Sequence, residues 1–142
     1  MRLADRILGA LLVFAAIVTA FYWWSYFTGG DVMVVHDRWY TAFESSFPVA
    51  DGWMALCAAI AGLGFILGRP FAPFFGLLAA SAILYLAAMD ITFDVENGMY
   101  AMARTSDAMK FEIFINASCI VLGAWTLLAS RRSLRAGISP AG

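Results

Sequence analysis

Carboxylate and amide side chains recur at helical spacing within two apolar stretches of the chain. Asp90 and Asp94 are four positions apart, as are Glu112 and Asn116, and residues spaced by four share one face of an α-helix. Asp51 lies near the start of a third apolar stretch. Clustered carboxylates repel one another, so such a group tends to retain a proton or attract a cation. The spacing predicts a polar pocket for a proton, a hard metal ion such as calcium, or a cationic ligand.

Tryptophan rings near the same ends of these stretches could wall the pocket, because a ring face attracts cations. Glu44 and His36 would lie above it, in a loop. Glu44, Asp90 and Asp94 are the candidates for a metal site. The predicted ligand-binding set is Asp51, Asp90, Asp94, Glu112, Asn116, Trp23, Trp24, Trp39 and Trp53.

A purely structural interpretation of the same residues is also open. Acidic residues in the first turn of a helix are favoured by the helix dipole, which suits Asp51 and Glu112. Lys110 could neutralise Glu112, and Arg38 or Arg104 could pair with Asp90 or Asp94. Tryptophan is common where a membrane meets water, whether or not a site is present.

The composition indicates that these residues belong to a membrane protein. Of 142 residues, 63% are hydrophobic and 13% are charged, whereas soluble domains carry roughly a quarter charged residues. Four stretches reach the length of about 20 apolar residues that a membrane-spanning helix needs. They cover about residues 7–27, 48–67, 71–93 and 110–129. We predict an all-α, four-transmembrane-helix bundle in one domain, residues 1–132, with a disordered cytoplasmic tail at 133–142.

The distribution of charge predicts the orientation. Arg2, Arg6, Arg69, Arg131, Arg132 and Arg135 fall on the side of the termini, and Arg38, Arg104 and Lys110 on the other. The positive-inside rule then places both termini in the cytoplasm. All acidic residues except Asp5 fall on the opposite side. We therefore expect a multi-pass protein of the inner membrane with an acidic outer face.

The first outer loop is predicted to contain a short amphipathic helix. Trp39, Phe43 and Phe47 recur every four positions, with Tyr40 beside them, which is typical of a helix lying in the membrane plane.

No complete catalytic, cofactor or nucleic-acid-binding motif is present. The single histidine and the separated cysteines Cys57 and Cys119 lack the ligand spacing of zinc, haem or iron–sulfur sites. Phosphate-loop and dinucleotide motifs are missing. We therefore expect no cofactor, no nucleic-acid partner and two packing cysteines.

Two parts of the sequence resemble those of small uncharacterised bacterial four-helix integral membrane proteins. They are residues 43–53, Phe-Glu-Ser-Ser-Phe-Pro-Val-Ala-Asp-Gly-Trp, and residues 89–94, Met-Asp-Ile-Thr-Phe-Asp, followed by Asn97-Gly98-Met99-Tyr100. That family has no known activity, so the resemblance implies a fold only. The layout is also similar to that of the sterol-isomerase and sigma-2 receptor superfamily, which places acids in an apolar cavity.

Three functional hypotheses follow. The favoured one is a non-enzymatic protein that binds a small, lipid-like or cationic ligand in an outward-facing acidic pocket. The second is an accessory subunit of a larger membrane complex, with the Gly64 and Gly68 face packed against a partner. The third is a membrane enzyme acting on an apolar substrate, with Asp90 or Glu112 as acid or base.

Overall fold

The computed structural model describes residues 2–30 and 32–138 and is all-helical over those residues. Four of its helices are long and apolar enough to cross a membrane, which confirms the predicted fold class and identifies a multi-pass membrane protein. A 3-10 helix, Met99–Arg104, precedes the last helix. The α-helices are α1 (Leu3–Phe27), α2 (Arg38–Glu44), α3 (Pro48–Leu67), α4 (Ala72–Glu96) and α5 (Asp107–Ile138).

Proline and glycine fix the ends of α3. Pro48 occupies its first turn, where the missing amide hydrogen costs nothing. Gly68 ends it in the left-handed conformation, at φ 65°, which glycine adopts without steric penalty. Only four residues separate α3 from α4, so the two helices run antiparallel side by side.

The long helices pack in chain order. α1 packs on α3, α3 on α4 and α4 on α5, while α1 and α5 meet over a smaller area. The core between them is built from small and aliphatic residues, and both cysteines belong to it. Its buried members include Leu8, Leu12, Cys57, Ala58, Ala61, Phe65, Ala79, Ile83 and Ala129, with Cys119 packed against them.

Glycines allow the closest approach of two helices, between α1 and α3. A Cβ atom on Gly62 would lie 2.6 Å from the carbonyl oxygen of Gly9, and a Cβ on Gly9 would lie 2.6 Å from that of Gly62. Gly64 faces Ala72 of the same chain. Of the two glycines that the accessory-subunit hypothesis assigned to a partner, Gly64 is therefore already packed against the start of α4, whereas Gly68 is exposed.

Large apolar side chains cover the outside of the bundle. Exposed apolar area of this extent is not stable in water, so this is the surface that lipid would contact. Examples from all four long helices are Phe14, Ile17, Leu56, Leu63, Phe74, Tyr85, Phe114 and Val121.

The start of α1 and the end of α5 lie at one end of the bundle, and an ion pair joins them. Arg132 Nη2 of α5 lies 3.2 Å from Asp5 Oδ1 of α1. The last helix also extends further than predicted. Residues 133–138 continue α5, because Leu134, Arg135 and Ala136 favour a helix and the single Gly137 costs only about 1 kcal/mol relative to alanine. The predicted disordered tail is wrong over those residues, and residues 139–142 lie outside the described part.

At the opposite end, α2 confirms the helix predicted in the first long loop. Tyr40 points inward and is 1% exposed. The ring of Phe43 stacks on that of Phe93 in α4, with centroids 3.6 Å apart and planes 6° apart. Trp39 also contacts Phe93, at 5.6 Å between centroids. α2 therefore covers this end of α4.

Candidate functional site

Four helices place five carboxyl groups within electrostatic range of their neighbours at the end of the bundle that carries α2. Glu44 comes from the end of α2, Asp51 from the first turn of α3, Asp90 and Asp94 from α4, and Glu112 from α5. Asp90 lies within electrostatic range of Glu44, Asp51 and Asp94, and Glu112 within range of Asp94 and Asp90. We call these five residues the acidic cluster. It unites the four acids of the predicted ligand-binding set with Glu44.

Two tyrosine hydroxyls join the cluster. Tyr22 Oη of α1 lies 3.2 Å from Glu44 Oε2. Tyr40 Oη of α2 lies 3.1 Å from Glu44 Oε1 and 3.2 Å from Glu112 Oε2. Sequence reasoning missed both tyrosines as site residues, because it assigned the aromatic side chains to the membrane interface. The signal available in the sequence was the spacing of Tyr40 and Glu44 by four positions, which puts both side chains on one face of a helix.

The contacts of Tyr40 constrain where protons lie. A phenol carries one hydroxyl proton and accepts hydrogen bonds on its oxygen. Tyr40 therefore donates to one carboxylate, and the second contact is favourable only if that carboxyl carries a proton and donates in return. Glu44 already receives the hydroxyl of Tyr22, which favours its ionised form. The geometry is thus best satisfied with Glu44 ionised and a proton on Glu112.

Asp94 is the most deeply buried member of the cluster. It is 0% exposed, and neither of its carboxyl oxygens has a hydrogen-bond partner among the described residues. Glu112 and the Tyr100 hydroxyl are near enough to interact with it but do not form hydrogen bonds of good geometry. Burial and the negative charge of Asp94 both raise the pKa of Tyr100 above its usual value.

Basic side chains do not compensate the cluster. Within residues 2–30 and 32–138, no Lys or Arg forms an ion pair with any of its five acids; Lys110 instead binds Asp107, at 2.7 Å. Arg38 and Arg104 are exposed. The alternative in which these cations neutralise Asp90, Asp94 or Glu112 therefore lacks support in the structure.

Of the four tryptophans in the predicted set, one is buried in the bundle and three are exposed on its surface. Trp23 is buried, and its Nε1 donates a hydrogen bond to Asp51 Oδ2 at 2.8 Å. Trp24, Trp39 and Trp53 are 62%, 45% and 53% exposed, which suits contact with lipid or its headgroups. Among these four tryptophans, in the described part of the chain, Trp23 is the one that donates a hydrogen bond to an acid of the cluster.

Asn116 lies beside the cluster rather than in it. It is 3% exposed, and its side chain lines a cavity of about 320 Å³ between α4, the 3-10 helix and α5. Tyr100 lines the same cavity and interacts with Asp94, so its side chain adjoins both regions.

The side chains that could coordinate a metal ion are not arranged as a metal centre. In the described part of the chain, no three side chains of the types His, Cys, Asp and Glu converge as a metal site. His36, placed above the pocket by the sequence, is an exposed loop residue. A larger cavity, of about 560 Å³, lies at the end with the termini and is lined by Asp5, Arg69 and Ser133 among others.

No family model, curated protein or solved structure matches this chain. Functional conclusions therefore come from the chemistry of the acidic cluster itself. That cluster combines five carboxyl groups with tyrosine hydroxyls and one indole, and no Lys or Arg of the described ranges forms an ion pair with it. Such an arrangement can hold protons and can exchange them for a cation.

Proposed function

We propose that the acidic cluster binds a small organic cation, a protonated amine, and holds protons in its place when it is empty. The observation that carries this proposal is Asp94, a fully buried carboxyl group without a hydrogen-bond partner among the described residues. A buried carboxylate left unpaired costs several kcal/mol, roughly, even after the surroundings relax. A proton or a bound cation removes that cost.

An amine suits the surroundings of Asp94 better than a metal ion does. An ammonium group offers up to three N–H donors, which match the unfilled oxygens of Asp94 and the nearby carboxyls of Asp90 and Glu112. The body of the ligand would meet apolar and aromatic side chains. Tyr40, Met99, Met109 and Phe93 pack together around this end of the bundle, and an aromatic ring stabilises an adjacent ammonium by about 0.5–2 kcal/mol.

Binding of the amine would release a proton. In the empty cluster, the hydrogen bonds of Tyr40 to Glu44 and Glu112 are most favourable when Glu112 carries a proton. An ammonium beside Asp94 and Glu112 favours their ionised forms, because an opposite charge within a few ångströms stabilises a carboxylate. Amine and proton would therefore compete for the same carboxyl oxygens.

The cluster would open toward the outside of the cell. Six of the nine Lys and Arg residues belong to the side of the termini, and the positive-inside rule assigns that side to the cytoplasm of an inner-membrane protein. Entry from outside would require α2 to move. Tyr40 is the buried residue of that helix, so its hydrogen bonds to Glu44 and Glu112 would hold α2 over the cluster.

Calorimetric titration of the protein in lipid nanodiscs with propylamine tests this function. Titrations in two buffers of different ionisation enthalpy report the protons released together with the binding constant. We expect propylammonium to bind with release of a proton, and tetramethylammonium, which has no N–H donor, to bind at least tenfold more weakly.

Asp94→Asn is the decisive variant, with Glu96→Gln as its control. Glu96 is an exposed acid on the same helix, so its change removes equal charge without touching the buried carboxyls. Asp94→Asn should weaken propylamine binding at least tenfold, and Glu96→Gln should leave it unchanged. Absence of binding by the wild-type protein, or equal binding by both variants, would contradict the proposal.

A further inference from the structure

A lateral cavity between α4, the 3-10 helix and α5 has the composition of a site for an apolar chain. Its volume is about 320 Å³, and its lining is Ile91, Tyr100, Ala103, Ile113, Asn116 and Ala117. Four of these six side chains are aliphatic. Two lining residues of α5, Ile113 and Ala117, are exposed on the outside of the bundle. Because α5 is long and apolar enough to cross a membrane, the cavity opens toward the region that lipid chains would occupy.

Asn116 contributes to this cavity a hydrogen-bond donor that lacks an acceptor among the described residues. The side chain is 97% buried, being 3% exposed, and within the described ranges its Nδ2 has no hydrogen-bond acceptor. A buried amide donor without an acceptor costs about 1–3 kcal/mol. A ligand that brings an acceptor oxygen to Nδ2 would recover that free energy.

The lining selects against water as the occupant. A buried water is stable when it makes about two to four hydrogen bonds. Besides Asn116, the cavity has one other polar side chain, that of Tyr100, and its hydroxyl lies near enough to Asp94 to interact with it. An apolar chain that carries a single acceptor fits this pattern of one donor among aliphatic groups.

We propose that this cavity binds one acyl chain of a bilayer lipid, with Asn116 Nδ2 donating a hydrogen bond to its ester carbonyl oxygen. Asn116 lies nine residues from the start of α5, about 14 Å along the helix axis at 1.5 Å per residue. It therefore lies in the half of the bundle that carries α2, at the depth of the upper acyl chains of that leaflet. The bond requires the ester group to enter the cavity several ångströms below the headgroups. The site does not depend on amine binding by the acidic cluster.

The test compares two lipid probes that differ in one group. A phosphatidylcholine with two ester-linked chains, one bearing a diazirine near its carbonyl, is incorporated into nanodiscs with the protein. A second nanodisc contains the diether analogue, which has no carbonyl oxygen. After irradiation, mass spectrometry of peptides quantifies the label on α5 residues 113–117.

We expect the ester probe to label this segment at least threefold more than the ether probe. Asn116→Leu, which removes the donor but keeps the volume, should make the two yields equal. Ala103→Phe, which fills the cavity, should lower both. Ser118→Ala serves as the control, because the Ser118 hydroxyl is exposed and donates to the Phe114 carbonyl of its own helix.

Equal labelling by the ester and ether probes in the wild-type protein would overturn the proposal, and this comparison needs no variant to fold. Undiminished labelling of Ala103→Phe would also overturn it, since the chain would then lie outside the cavity. Because neither lipid probe carries a primary amine, these results are independent of propylamine binding at the acidic cluster.

Discussion

Tyr40 Oη lies 3.2 Å from Glu112 Oε2, although the two residues are separated by 72 positions in the chain. The contact joins the short helix α2 to the long helix α5 across the mouth of the acidic cluster. Since Tyr40 also lies 3.1 Å from Glu44, one phenol bridges two carboxyl groups. The closure of this end of the bundle and the protonation of its acids therefore depend on the same hydroxyl.

Tyr40→Phe should destabilise the protein by about 1–3 kcal/mol, because two buried carboxyl oxygens lose their partner. Thermal unfolding in detergent measures the effect. Tyr85→Phe is the matched control, since Tyr85 is 64% exposed and its loss should leave the midpoint unchanged. Equal midpoints for Tyr40→Phe and the wild-type protein would mean that the Tyr40 hydroxyl makes no net contribution to closure.

Asp94→Asn should stabilise the empty protein while it abolishes amine binding. The substitution keeps the shape of the side chain and removes the need to neutralise a buried carboxyl group. We expect a gain of about 1–3 kcal/mol, because a neutral amide costs less to bury than an unpaired carboxylate. Thermal unfolding without ligand, at neutral pH, measures it. A lower melting temperature than that of Glu96→Gln would show that Asp94 has a stabilising partner in the empty state.

Tyr100 reports the charge of Asp94. Burial raises the pKa of Tyr100, and the negative charge of Asp94 raises it further, so the phenol keeps its proton to higher pH than a free tyrosine does. Asp94→Asn removes the second cause and should lower the pKa of Tyr100 toward the usual value of about 10. Ultraviolet absorbance of phenolate, taken as the difference from Tyr100→Phe, follows this titration. An unchanged midpoint in Asp94→Asn would show that the Asp94 carboxylate does not influence Tyr100.

The order of the helices was predictable from the sequence because the lengths of the apolar runs, Pro48 and Gly68 each act locally. Helical spacing also predicted that Asp90 and Asp94 share a face. Spacing does not specify which neighbour a face meets. Glu112 and Asn116 share a face, yet the first contacts Tyr40 and the second lines the lateral cavity.

Composition could not separate the roles of neighbouring aromatic residues. Trp23 and Trp24 are adjacent, and both suit a membrane interface. The structure buries Trp23 against Asp51 and exposes Trp24, because a step of one residue turns a helix by about 100°. The face of α1 that packs against α3 determines which of the two tryptophans is buried. That face is the one on which Gly9 approaches Gly62.

Gly62→Ala should destabilise the bundle by about 1–3 kcal/mol, the usual cost of forcing atoms into a packed contact. The added Cβ would lie 2.6 Å from the Gly9 carbonyl oxygen. Gly52→Ala in the same helix is the control, since nothing lies within 4 Å of a Cβ there. It should be neutral or stabilising, because alanine favours a helix more than glycine by about 1 kcal/mol. Equal unfolding midpoints for the two variants would disprove the close α1–α3 contact.

Infrared difference spectroscopy tests most directly whether the empty acidic cluster holds a proton. Protonated carboxyl groups have a carbonyl stretching band separate from that of carboxylates. At neutral pH, the wild-type protein in nanodiscs should show this band, Glu112→Gln should lose much of its intensity, and saturation with propylamine should remove it. A wild-type spectrum at neutral pH without a protonated carboxyl band would contradict proton storage by Glu44, Asp51, Asp90, Asp94 and Glu112.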